Sequence, residues 1–113
     1  MRLLGRTQER IARRGRAGAV EDWAAGDAIR VRFQGRTVAV FRAGDRFFAL
    51  EDRCPHQGTP LSDGEVTGTT VRCSGHGLTF DMTSGRCATS DAMRIPRYRA
   101  EVHDGAVWLS RES

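Results

Sequence analysis

The chain has 113 residues, 39% of them hydrophobic and 28% charged, with a net charge of +4. That is enough for one domain with a modest core, and no apolar run approaches the ~20 residues that span a bilayer. The basic residues are all arginine, 18 in number, and they are unevenly placed. Residues 1–16 hold six arginines against Glu9 alone, whereas residues 17–113 hold twelve against 13 acids. The high pI therefore belongs to the start of the chain and not to its body. Such a segment, residues 1–19, fits either an arm for an acidic partner or nucleic acid, or a solvated end. No helix-turn-helix or stacking-aromatic pattern supports nucleic acid. The start Met1-Arg2-Leu3-Leu4-Gly5 lacks the apolar stretch of a secretory leader, and Arg13-Arg14 runs into Gly15-Arg16-Ala17. The expectation is a cytoplasmic protein with no membrane contact.

Residues 9–14 fit a first strand or a short helix, and Val20 to Asp27 reads as a connection ending in the turn pair Gly26-Asp27. From there the period is two. Ile29, Val31 and Phe33 alternate with Arg30, Arg32 and Gln34, as in a strand with one wet face. Gln34-Gly35-Arg36 is a tight turn, Thr37 to Arg42 a second strand, Ala43-Gly44-Asp45 another turn, and Arg46 to Leu50 a third strand. Residues 51–92 change character: Gly, Ser, Thr, Asp and Cys dominate, with short apolar pieces at Val66, Val71 and Leu78 to Met82. A segment this poor in apolar surface needs a staple such as a metal. Strand pattern then returns at Arg97 to Val102, Asp104-Gly105 marks a hairpin, and Ala106 to Leu109 closes the sheet. The expected fold is all-β, with a domain over 20–113 and a loop-built insertion at about 51–92.

The insertion holds two of the three cysteines close to two of the three histidines. Cys54-Pro55-His56-Gln57-Gly58 is followed, with sixteen residues between His56 and Cys73, by Cys73-Ser74-Gly75-His76-Gly77. Each half offers one thiolate and one imidazole, and glycines at 58, 64, 75 and 77 supply the open backbone angles such loops need. An odd, small number of cysteines argues for metal or reactive thiols over a disulfide framework. Zinc takes two cysteines and two histidines in structural sites. A [2Fe–2S] cluster with imidazoles replacing two thiolates takes the same set. Zinc fingers pair like ligands, whereas here unlike ligands are paired in both halves, which suits two irons bridging two loops.

The segment from Cys54 to Val66 resembles the first cluster-binding loop of Rieske proteins. Cys73-Ser74-Gly75-His76-Gly77-Leu78-Thr79-Phe80-Asp81 resembles the second, and Thr83-Ser84-Gly85-Arg86-Cys87 the turn after it. The likeness runs from about Asp27 to Leu109. It implies stacked antiparallel sheets, three in number, with a cluster-binding subdomain. It also implies one Rieske-type [2Fe–2S] cluster, with Cys54 and Cys73 on a buried iron and His56 and His76 on an outer one. Members from respiratory complexes carry an extra disulfide-bonded cysteine in each loop, where this chain has Thr59 and Gly75. They also carry Ser and Tyr where this chain has Leu78 and Phe80. The chain therefore resembles the ferredoxins of aromatic-ring-hydroxylating dioxygenase systems. That likeness implies a potential near the low end of the Rieske range, roughly −150 mV. It departs from many members in having Gly75 in place of an aromatic residue and no Pro near Ser90-Asp91.

The resemblance implies a monomeric one-electron carrier, not itself an enzyme, meeting a flavin-dependent reductase and a terminal oxygenase transiently. The competing readings are a structural zinc-binding interaction module and an accessory Rieske-like subunit of a reductase. Cys87 reads as a small packed residue or a redox thiol, His103 as a hairpin surface residue, and Trp108 as packing. Trp23 fits packing or a partner contact. Arg53 and Gln57 flank the ligands at positions that suit a docking rim or plain solvation.

Overall fold

The computed structural model describes residues 14–55, 58–75 and 77–111. Most of the basic first segment, including residues 9–13 of the expected first element, lies outside that range. Eleven strands form in the described residues: β1 (Arg14–Ala19), β2 (Ala28–Phe33), β3 (Arg36–Ala43), β4 (Arg46–Glu51), β5 (Glu65–Thr67), β6 (Thr70–Arg72), β7 (Thr79–Asp81), β8 (Arg86–Cys87), β9 (Ser90–Arg94), β10 (Arg97–His103) and β11 (Ala106–Arg111). Two 3₁₀ turns, Val20–Asp22 and Leu61–Asp63, complete the regular structure. The five strands expected from period-two alternation are β2, β3, β4, β10 and β11. Two of their hairpins turn on pairs with positive φ at both positions, Gln34 (49°) with Gly35 (79°) and Asp104 (52°) with Gly105 (73°). That geometry matches the twist of the flanking strands.

Pairing gives a six-stranded sheet in the order β1-β11-β10-β4-β3-β2 and a five-stranded sheet in the order β5-β6-β7-β8-β9, each antiparallel throughout. The resemblance implied three sheets. The difference lies at one corner: β10 meets β4 only through Arg97 opposite Leu50 and Tyr98 opposite Ala49. That short join links two three-stranded layers into one bent sheet. The layers close on a core of Trp23, Phe33, Val38, Val40, Ala49, Tyr98, Val107 and Leu109. The Phe33 and Tyr98 rings meet edge to face at 5.8 Å. Gly15 on β1 leaves room for the Phe33 ring, since a Cβ there would lie 2.8 Å from it. Trp23 is 2% exposed and its indole N–H donates to the Val40 carbonyl at 2.9 Å, so it packs in the core.

β3 is buried on both faces. Val38 and Val40 enter the core between the layers, while Ala39 and Phe41 face the other way. There they join Phe48, Leu50, Cys54, Leu61, Val71, Cys73, Phe80, Met82, Cys87 and Ile95 in a second core. β3 and β4 thus form the floor beneath residues 51–92. That segment is built of loops at its cysteines and of β5 to β9 elsewhere. These strands are two to five residues long, too short to show alternation in the sequence. Among the described residues, no helix is long and apolar enough to cross a membrane.

Phe41→Ala empties the center of the floor, where the ring is fully buried. The expected cost is about 3–5 kcal/mol, read as a lowered midpoint in denaturant unfolding with the slope unchanged.

Candidate metal centre

Cys54 follows β4 after Asp52 and Arg53, and Cys73 follows β6 directly. The two loops close in the same way. The Cys54 amide donates to the Thr59 carbonyl (2.9 Å), and the Gly58 amide donates back to the Cys54 carbonyl (2.7 Å). The Cys73 amide donates to the Leu78 carbonyl (2.7 Å), and the Gly77 amide donates to the Cys73 carbonyl (3.0 Å). In each, the glycine four residues after the cysteine is left-handed, with φ 73° at Gly58 and 72° at Gly77. Only glycine takes that conformation without strain. The sequence repeats a Cys…Gly loop, and the structure shows that it repeats a backbone shape.

Both cysteines are buried, at 0% and 1% exposure, in the same core, and neither is in a disulfide. His56, Gln57 and His76 lie outside the described residues. By sequence each histidine sits between its cysteine and its left-handed glycine. Two buried thiols carried into one core by matched loops, with one imidazole per loop, fit a group that takes two sulfur and two nitrogen ligands.

Two further features hold the loops in place, and the sequence pattern announced neither. The first is a clamp around Asp52, whose side chain is 1% exposed. Its carboxylate accepts the Ser62 amide (2.7 Å) and hydroxyl (2.8 Å) and pairs with Arg30 Nε of β2 at 3.1 Å. Arg30 also donates to the Ser62 hydroxyl at 2.7 Å and, through Nη2, to Asp63 at 3.0 Å. One buried carboxylate thus ties the two ends of the first loop to each other and to β2. The second is Gly64. Its backbone is extended, with φ −79° and ψ 173°, so the open angle expected there is not what it supplies. A Cβ at Gly64 would run into the Arg72 carbonyl oxygen, beside Cys73. Glycine here lets the end of the first loop approach the start of the second.

The remaining candidates fall elsewhere. Cys87 is 5% exposed, in the same core as Cys54 and Cys73. Burial pushes its thiol up, but hydrogen bonds from the Thr89 hydroxyl and from the Thr89 and Ser90 backbone outweigh that and leave it below the usual thiol range. His103 is exposed at the end of β10, 3.2 Å from the Asp104 carboxylate, far along the strand from the loops. Trp108 packs under the Arg14 guanidinium, 5.6 Å from its ring center.

Asp52→Asn removes a charge-assisted acceptor from both Ser62 and Arg30, at a cost of about 1–3 kcal/mol. Faster metal loss to a chelator is the expected readout. Gly64→Ala pushes the two loops apart, costing about 1–3 kcal/mol, and lowers metal content at purification. Cys87→Ser leaves metal content unchanged.

Comparison with known proteins agrees with this geometry. The family profile described as the Rieske [2Fe-2S] domain matches residues 14–99. Ferredoxin CarAc of Metapseudomonas resinovorans is 34% identical, over 83% of this chain and 90% of its own length. The 4beta-methylsterol monooxygenase of Methylococcus capsulatus is 40% identical over 71% of this chain, which spans about a quarter (25%) of that relative's length. Among solved structures, a chain of the complex of reduced oxygenase and oxidized ferredoxin in carbazole 1,9a-dioxygenase superposes with a TM-score of 0.81. It is 32% identical, and the match covers 90% of this chain and 96% of that one. With the matched stretch enclosing both cysteine loops, the chain belongs to the Rieske [2Fe–2S] domain family, and its cofactor is one Rieske-type [2Fe–2S] cluster.

Proposed function

We propose that this chain is a one-electron carrier, a Rieske ferredoxin. It takes an electron from a flavin-dependent reductase and delivers it to the terminal oxygenase of a ring-hydroxylating system. The observation that carries this reading is the likeness, at 32% identity and over 96% of its length, to a chain from a ferredoxin–oxygenase complex. A second relative points the same way: the anthranilate 1,2-dioxygenase ferredoxin subunit of Burkholderia cepacia is 35% identical, matched over 84% of its length.

We assign Cys54 and Cys73 to one iron, and His56 and His76 to the other. The bound cluster supplies a store for a single electron. The protein's part is to hold the donors still: the floor of Phe41, Phe48 and Leu50 and the Asp52 clamp fix the loops so that they need not rearrange when charge changes. No substrate bond is broken on this chain, so it is a component of an oxygenase system and not its catalyst. Leu78 and Phe80 bring no hydroxyl group to the second loop, which supports a low potential. The carrier works as a monomer, in contacts of the small size usual for redox encounters. The cytoplasm suits a carrier whose cysteines are in no disulfide.

Coulometric titration tests the reading. The loaded wild-type protein takes up about one electron per chain, as a [2Fe–2S] cluster does. Cys54→Ser, Cys73→Ser, His56→Ala and His76→Ala each abolish that uptake or strip the metal. A wild-type protein that holds zinc and takes up no electron contradicts the proposal and leaves a zinc-stapled interaction module.

A further inference from the structure

Each cluster loop is preceded by an arginine, Arg53 before Cys54 and Arg72 before Cys73. Both are exposed, and both fold back over their own loop. A Cβ built on Gly58 would lie 3.3 Å from Arg53 Nε, and one built on Gly77 would lie 2.9 Å from Arg72 Nη2. The two guanidinium groups therefore cover equivalent points of two equivalent loops, each over the left-handed glycine that closes the turn.

Three of the nearby acids are engaged by other arginines. Asp52 and Asp63 pair with Arg30, and Glu51 pairs with Arg36 at 3.1 Å. Glu65 stands opposite Arg72 in the β5–β6 register, yet among the described residues no ion pair joins them, and the Arg72 guanidinium lies toward Gly77. The acids within the loops are Asp63, paired with Arg30, Asp81, whose carboxylate accepts from the Thr83 amide and hydroxyl, and Glu65; among the described residues neither Arg53 nor Arg72 is held in an ion pair. The body of the chain is slightly acidic, which makes this cationic end a local feature and not a reflection of overall charge.

We propose that Arg53 and Arg72 form a paired cationic rim around the cluster end, selecting an electron-transfer protein whose docking face is acidic. The proposal rests on the electron-carrier reading and deepens it. Steering of this kind acts on the rate of encounter and is screened by salt.

The test uses small oxidants as charged probes of that end. Cluster-loaded protein is reduced with dithionite, freed of excess reductant, and mixed in a stopped-flow instrument with trianionic ferricyanide or tricationic hexaamminecobalt(III). One electron passes from the reduced cluster to the metal complex, and no bond or proton of the protein moves. For the wild type, the ferricyanide rate falls as salt rises and the cobalt rate increases. In Arg53→Gln/Arg72→Gln, the ferricyanide rate at low salt drops by at least about threefold and most of its salt dependence disappears. Arg53→Lys/Arg72→Lys keeps the wild-type salt dependence. Arg16→Gln/Arg99→Gln removes the same net charge from exposed positions on β1 and β10, and it leaves the rates near wild type. Equal effects from the two glutamine pairs, or none from either, overturn the rim. Iron content and the visible spectrum are recorded first. A preparation unable to hold a cluster sinks the carrier reading, whereas a loaded protein with unmoved rates sinks only the rim.

Discussion

Two short loops with almost no apolar surface have to hold two thiols in a fixed relation, and nothing within the loops is large enough to do it. The constraint is met from below. β3 is buried on both faces, so one strand anchors the core between the two layers of the bent sheet and also roofs that core with the floor of the cluster end. Ala39 and Phe41 point toward Cys54 and Cys73's core, while Val38 and Val40, one residue out of phase, point away from it. Strand periodicity alone makes this possible, because successive side chains alternate between faces. A slip of one residue in β3 would exchange the two cores' contents, so its register with β2 and β4 is strongly specified.

On that floor, the loops are fixed by polar and steric contacts. Asp52 is a buried carboxylate whose partners come from β2 and from the far end of the first loop. Gly64 is a missing side chain that lets one loop meet the other. Each loop then closes on its own cysteine carbonyl. The result is a rigid mount for a group whose charge changes by one electron, with its thiols sealed from water. Charge is arranged around the same mount: Arg30 engages Asp52 and Asp63, Arg36 engages Glu51, and Arg53 and Arg72 fold over the glycines of the two loops.

Much of this was legible in the sequence, for identifiable reasons. β2, β3, β4, β10 and β11 are long enough to show period two, and Gln34-Gly35 and Asp104-Gly105 are turns that side-chain chemistry dictates. The ligand-type residues cluster within two short motifs. What stayed hidden depends on distance or brevity. Arg30 and Ser62 are 32 residues apart, and no local pattern links them. β5, β6 and β7 have three residues each, fewer than an alternation needs. β1 carries Gly15 and Gly18, which break its apolar period while making room for Phe33 and Trp23. In the sequence Gly64 suggests backbone freedom, whereas its role is contact, which only the folded chain reveals.

The central claim is that each loop contributes one sulfur and one nitrogen to a single cluster. Electron–nuclear double resonance on the dithionite-reduced protein, with and without ¹⁵N-labelled histidine, tests it most directly. The account predicts a rhombic signal with an average g value below that of all-cysteine clusters, and couplings from two histidine nitrogens that shift on labelling. A signal with no histidine nitrogen coupling, or a colourless zinc protein with no signal at all, would contradict it.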